Sequence, residues 1–131
     1  MLVVDASCLY EVVADGPDAE SVRVRLTEDD DQAAPQLLDA EVLGLIRRDW
    51  LAGHLDGTGA GQALADLRDW PGERFGHRLL LDRAWELRGT VRTWDALYVA
   101  LAEAMEATLI TRDRRLSRAT GPTCRIEVIG N

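Results

Sequence analysis

Two short apolar runs in this chain each lead into an aspartate: Met1-Leu-Val-Val-Asp5 at the start and Thr108-Leu-Ile-Thr111-Arg-Asp113 towards the end. Between them Glu41 interrupts an apolar helix face running from Leu37 to Ile46, and Asp95 sits in the opening turn of another helix, Thr93-Trp-Asp-Ala96. Each of the four lies in a segment whose hydrophobic pattern should bury a side chain. A buried carboxylate is costly unless it is paired or bound to a metal. Four of them converging on one point would require a divalent cation. A hard ion such as Mg²⁺ takes oxygen ligands and keeps several waters, so Asp5, Asp95 and Asp113 are candidate ligands. Glu41 is a candidate for holding a water or acting as general base.

Each acid also has a plainer reading. Asp5 and Asp113 follow strands and could be helix N-caps, and Asp95 in a first helical turn is favoured by the macrodipole. Glu41 resists such a reading, because Arg47 and Arg48 do not share its face well. Ser7 and Thr111 stand two residues from Asp5 and Asp113 and could orient them through their hydroxyls, or simply cap locally. Arg112, Arg114, Arg115 and Arg118 surround Asp113 and make a local positive patch that can hold phosphates.

The elements needed to bring the acids together follow from periodicity. Strand and helix signals alternate, which predicts a single-domain α/β fold over residues 1–131 with a mainly parallel sheet. Strands are expected at Leu2–Val4, Thr108–Thr111 and Arg125–Ile129. Helices are expected from Ala6 to Val13, from the Gly16-Pro17-Asp18 turn onward, from Pro35 at its first turn to Leu51, from Gln62 to Trp70, from Leu79 to Leu87 and from a Thr93 cap through Met105. Gly53 to Gly61 reads as a glycine-rich connection; it follows a helix rather than a strand, which argues against nucleotide binding. In open parallel sheets ligands bind beyond the carboxyl ends of the strands, where Asp5 and Asp113 fall.

The 131 residues, 47% hydrophobic and 29% charged, suit one globular core. No apolar run spans a membrane and no basic leader precedes the first strand, so a cytoplasmic protein is expected. Cys8 and Cys124 are expected to be reduced packing residues. A net charge of −8 argues against nonspecific nucleic-acid binding by the chain's own cations, though not against binding mediated by metal ions. All 15 basic residues are arginine, which excludes any mechanism needing a catalytic lysine. Trp50, Trp70, Trp85 and Trp94 are read first as core, with interface anchoring as the other option.

The ordered set Val-Val-Asp5-Ala-Ser7, Leu38-Asp-Ala-Glu41-Val42, Asp95-Ala-Leu-Tyr98-Val-Ala-Leu-Ala102 and Leu109-Ile-Thr111-Arg-Asp113-Arg-Arg-Leu116 resembles the PIN-domain family, and within it the VapC-type toxins of toxin–antitoxin pairs. The resemblance runs nearly end to end and implies an α/β/α sandwich. It further implies an endoribonuclease whose acids Asp5, Glu41, Asp95 and Asp113 bind Mg²⁺ or Mn²⁺ to hydrolyse RNA, a small antitoxin partner, and a homodimer or toxin–antitoxin hetero-oligomer. The alternative is a catalytically silent PIN-like interaction module, whose signature would be a missing acid. A response-regulator receiver fails for lack of lysine, and a haloacid-dehalogenase-type phosphatase for lack of a second acid in Asp5-Ala-Ser7.

Overall fold

The computed structural model of the protein describes residues 1–130. Its frame is a five-stranded, wholly parallel sheet in the order β3-β2-β1-β4-β5, built from β1 (Leu2–Val4), β2 (Gln32–Pro35), β3 (Glu73–Phe75), β4 (Thr108–Thr111) and β5 (Ile126–Val128). Parallel neighbours need crossovers, and helices supply them: α1 (Ala6–Val13), α2 (Ala19–Thr27), α3 (Leu37–Leu51), α4 (Gly57–Asp69), α5 (Leu81–Glu86), α6 (Thr93–Ala104) and α7 (Arg114–Arg118). The architecture is the expected α/β sandwich. Helices α1 to α4 pack on one another, while α6 lies across β1, β2 and β4 with α5 beside it.

Strand β1 is central, and its Leu-Val-Val is fully buried, as a strand covered on both faces must be. It registers Leu2 against Gln32 on one side and Thr108 on the other. Helix α6 is apolar nearly all round, with every residue from Ala96 to Ala102 buried. It is therefore the chief internal helix, and only its two ends reach the surface.

Two strands go unread in the sequence. Gln32-Ala-Ala-Pro35 forms β2, with Pro35 its last residue rather than the first turn of α3, and Glu73-Arg-Phe75 forms edge strand β3. Neither run is β-branched, and tertiary pairing overrides their weak propensity. Helix α4 starts five residues earlier than Gln62, within the glycine-rich stretch, because Asp56 caps it by accepting the Gly59 amide at 2.7 Å. A 3-10 turn, Arg78–Leu80, precedes α5. Helix α6 takes Arg92, not Thr93, at its N-cap position.

Both cysteines are free, Cys8 buried and Cys124 half-buried. Of the tryptophans only Trp70 is buried, its indole donating to Gln32 at 3.0 Å; Trp50, Trp85 and Trp94 are exposed. No helix among the described residues is long and apolar enough to cross a membrane.

Candidate active site

Strand β1 ends at the middle of the sheet, between β2 and β4, which is where the strand order reverses and a crevice opens. Asp5 is the residue leaving that strand. It occupies the N-cap position of α1 in extended conformation, yet its side chain makes no capping bond. Instead Oδ2 accepts the Thr111 hydroxyl at 2.7 Å and the Ser7 hydroxyl at 2.8 Å. Those hydroxyls are themselves acceptors: the Asp113 amide donates to Thr111 and the Arg112 amide to Ser7, each at 3.1 Å. Two parallel relays thus run from consecutive amides after β4, through a hydroxyl each, to one oxygen of Asp5. Each hydroxyl hydrogen is committed to the carboxylate because the amide takes its lone pair. Both hydroxyls orient Asp5, whereas sequence proximity pairs Thr111 with Asp113.

Asp5 is 7% exposed and no ion pair reaches it among the described residues. Burial, followed by the nearby charge of Asp95, pushes its pKa up against the pull of the two hydroxyls. Of the four acids it alone is fully buried. Glu41, Asp95 and Asp113 are half-buried, since each stands at the rim where its helix or loop meets solvent.

Glu41 projects from α3 and accepts the phenolic hydroxyl of Tyr98, from α6, at 2.8 Å. Desolvation raises its pKa first; the Tyr98 bond opposes this, Asp5 and Asp95 add to it, and Arg92 subtracts. The amide of Leu37, in the first turn of the same helix, donates to His77 Nε2 at 3.1 Å, so an imidazole far away in sequence satisfies one of the free amides there.

Asp95 and Asp113 share a cation. Arg92 Nε stands 3.1 Å from Asp95 Oδ2, and its Nη2 is 3.2 Å from Asp113 Oδ2. Asp113 also caps α7, accepting the Arg115 amide at 2.9 Å, as its structural reading expects, through Oδ1, while Oδ2 faces Arg92. Two cavities flank Arg92. One, of about 510 Å³, is lined by Glu41, Arg92, Thr93, Trp94 and Asp95. The other, of about 190 Å³, runs past Asp95, Asp113 and Arg115.

The donor set suits a hard divalent ion. It is all carboxylate oxygen, carries more negative charge than Arg92 and Arg115 together offset, and includes a buried acid held only by neutral hydroxyls. With Arg92 between Asp95 and Asp113, no three such groups among the described residues stand close enough together to clasp an ion as they are. Holding an ion there would require side-chain movement.

The arginines near Asp113 divide into two kinds. Arg114, Arg115 and Arg118 are exposed. Arg112 is expected on sequence to meet phosphates, but its guanidinium pairs with Glu11 at 2.9 Å and with Asp18, tying the loop after β4 to α1 and the turn that follows it. Glu11 is buried and also accepts the Asp18 amide at 2.7 Å. Arg112 is therefore a brace within the fold. Sequence reasoning misses Arg92 and Tyr98. Their signal lies at three residues before and after Asp95, the spacing that shares a helical face.

The family model for the PIN domain matches residues 2–122. Ribonuclease VapC3 of Mycobacterium tuberculosis is 43% identical over 119 residues, covering 90% of this chain and 86% of that protein. Ribonuclease VapC1 of the same organism is 38% identical over 129 residues, covering 97% and 96%. Among solved structures, FitAcB from Neisseria gonorrhoeae superposes with a TM-score of 0.73 at 17% identity, covering 96% of each chain. VapBC2 from Rickettsia felis, bound to a DNA fragment from its promoter, gives 0.71 at 16% identity and 98% of each chain.

Proposed function

The chain belongs to the PIN-domain family, among relatives named as VapC ribonucleases, and from that premise we propose that it is a Mg²⁺- or Mn²⁺-dependent endoribonuclease acting as the toxin of a toxin–antitoxin pair. One observation carries the catalytic reading. Asp5 is buried at the end of the central strand, held by two hydroxyls and by no cation, with the charges of Glu41 and Asp95 felt at its site and Arg92 joining Asp95 to Asp113.

In this reading Asp5, Asp95 and Asp113 hold the ion directly or through water. When bound, the ion supplies positive charge against the scissile phosphate and makes nearby water more acidic. The relays from Ser7 and Thr111 keep Asp5 aimed outward from the strand. Glu41, its pKa raised by burial and by its acidic neighbours, is moved towards the range in which a carboxylate takes up a proton, and Tyr98 fixes the oxygen that would receive it. Arg114, Arg115 and Arg118 hold flanking RNA phosphates at the rim.

A small antitoxin partner fits the same picture. FitAcB, VapBC2 and a toxin–antitoxin complex from Klebsiella pneumoniae share this fold. Leu43, Trp50 and Leu51 on α3 and Leu64 on α4 leave an apolar surface beside a groove of about 290 Å³, which such a partner would cover. All four acids are present, so the silent interaction module has no feature in its favour.

The test is cleavage of total RNA by the purified chain with Mn²⁺, Mg²⁺ or a chelator, beside Asp5→Asn. Cleavage that survives chelation or the substitution sinks the metal-centred reading. Failure of any neighbouring small open reading frame to rescue growth on co-expression removes the antitoxin part alone.

A further inference from the structure

Arg92 stands at the N-cap of α6 with φ −62° and ψ 150°, where serine, threonine, aspartate or asparagine would normally accept an amide, and it makes no capping bond. Local helix chemistry therefore gives no reason for arginine there. Its guanidinium spans two acids contributed by different elements, Asp95 on α6 and Asp113 after β4, at 3.0 and 3.2 Å from the same nitrogen. The side chain is 69% exposed, with a cavity on each side, so it can leave without repacking anything.

The oxygens it contacts are those a divalent ion would need. Arg92 occupies Oδ2 of each acid and sets a positive charge beside it, so guanidinium and divalent ion compete for the same two carboxylates. Arginine stays charged at any working pH, and its planar fork suits two separated acceptors better than an ammonium would.

We propose that Arg92 is a resident counter-cation: it holds Asp95 and Asp113 together while the site lacks a divalent ion, and it must swing off them for an ion to enter, so that it sets the threshold concentration for loading. This inference rests on the reading of the four acids as a metal centre. Arg92 is a positioning residue here, acting through the two carboxylates it spans.

The experiment is calorimetric titration of the intact, metal-stripped chain with MnCl₂, with melting curves taken with and without Mn²⁺. It compares wild type with Arg92→Gln, Arg92→Ser and Arg92→Lys. Serine supplies the missing helix cap, so that variant is expected to fold at least as well as wild type. The glutamine and serine variants should bind Mn²⁺ about three- to tenfold more tightly, the scale expected when a pair of exposed ion pairs no longer competes. Their Mn²⁺-induced rise in melting temperature should exceed that of wild type. Lysine should fall between, as a point charge without the fork.

Unchanged or weaker Mn²⁺ affinity in both the glutamine and serine variants, with wild type still binding, would overturn the proposal. So would a higher KM for RNA at unchanged Mn²⁺ affinity, which would make Arg92 a substrate contact instead. Binding by the variants alone would support it strongly. If no protein in the series binds Mn²⁺ or melts higher with it, the metal reading fails and this inference falls with it.

Discussion

The hydroxyl of Tyr98 donates to Glu41 Oε1 at 2.8 Å, joining α6 to α3 above the sheet. Tyr98 is wholly buried, so its one polar atom depends on that acid for a partner. Burial first, and then the charge of Glu41, drives the phenol's pKa far up, which keeps it a donor at every accessible pH. Tyr98→Phe keeps the shape and removes the bond. It should cost about 1 kcal/mol of stability and lower the cleavage rate about tenfold by freeing Glu41 to turn. Steady-state kinetics should show the loss in kcat and not in KM; an unaffected kcat would make Tyr98 a packing residue only.

Asp5→Asn removes a desolvated charge while leaving an oxygen for the two hydroxyls. The metal-free variant should melt at or above the wild-type temperature, because the buried carboxylate is disfavoured as it stands. It should gain far less from added Mn²⁺ and lose RNA cleavage by at least about 100-fold, the loss expected when a metal site is spoiled. Differential scanning calorimetry with and without Mn²⁺ checks the first two effects.

The two classes of arginine should part company on substitution. Arg114→Gln with Arg118→Gln should raise KM and flatten the salt dependence of RNA binding by about 0.7 in log–log slope for each phosphate no longer neutralised. Arg112→Gln should leave that slope alone and instead destabilise the fold by about 2–3 kcal/mol, because Glu11 is left buried without its cation. Denaturant melts and salt titrations of binding separate the outcomes.

Glu103 offers a pH test away from the acids. Burial works to raise its pKa, but hydrogen bonds from Arg83 and the Thr123 amide outweigh that and hold it below the ordinary value of 4.5. A lowered folded-state pKa means the unfolded chain binds the proton more readily. The stabilisation is therefore present above about pH 4.5 and is lost as pH falls through the lowered value. Glu103→Gln should cost about 1 kcal/mol near neutrality, and the difference from wild type should vanish in acid. A pH series of melts reads it directly.

How far the sequence could be read depended on what each segment encodes locally. The strands at Leu2–Val4 and Thr108–Thr111 and the internal helix α6 carry dense apolar patterns, and these put Asp5 and Asp113 just past the carboxyl ends of two inner strands and Asp95 in the first turn of α6. Strands β2 and β3 were illegible because Gln32-Ala-Ala-Pro35 and Glu73-Arg-Phe75 take their conformation from pairing with neighbours. Helix α4 reads short because its glycines mask a helix started by Asp56. Side-chain partnerships were the least visible. Nothing local distinguishes Arg112, which braces α1, from Arg114, which faces solvent, since that depends on Glu11 and Asp18 roughly a hundred residues away.

Strand β1 is made first and sits in the middle, yet the Thr111 hydroxyl that closes on Asp5 lies 106 residues further along. A nascent chain still lacking β4 has half of β1's pairing edge open and Asp5 without one of its two hydroxyls. Domains form largely as units once their chain has emerged, so the acids can assemble only after β4 and the loop that follows it have cleared the ribosome. A product ending ahead of Thr108 would lack β4, the Thr111 hydroxyl that holds Asp5, and Asp113 itself.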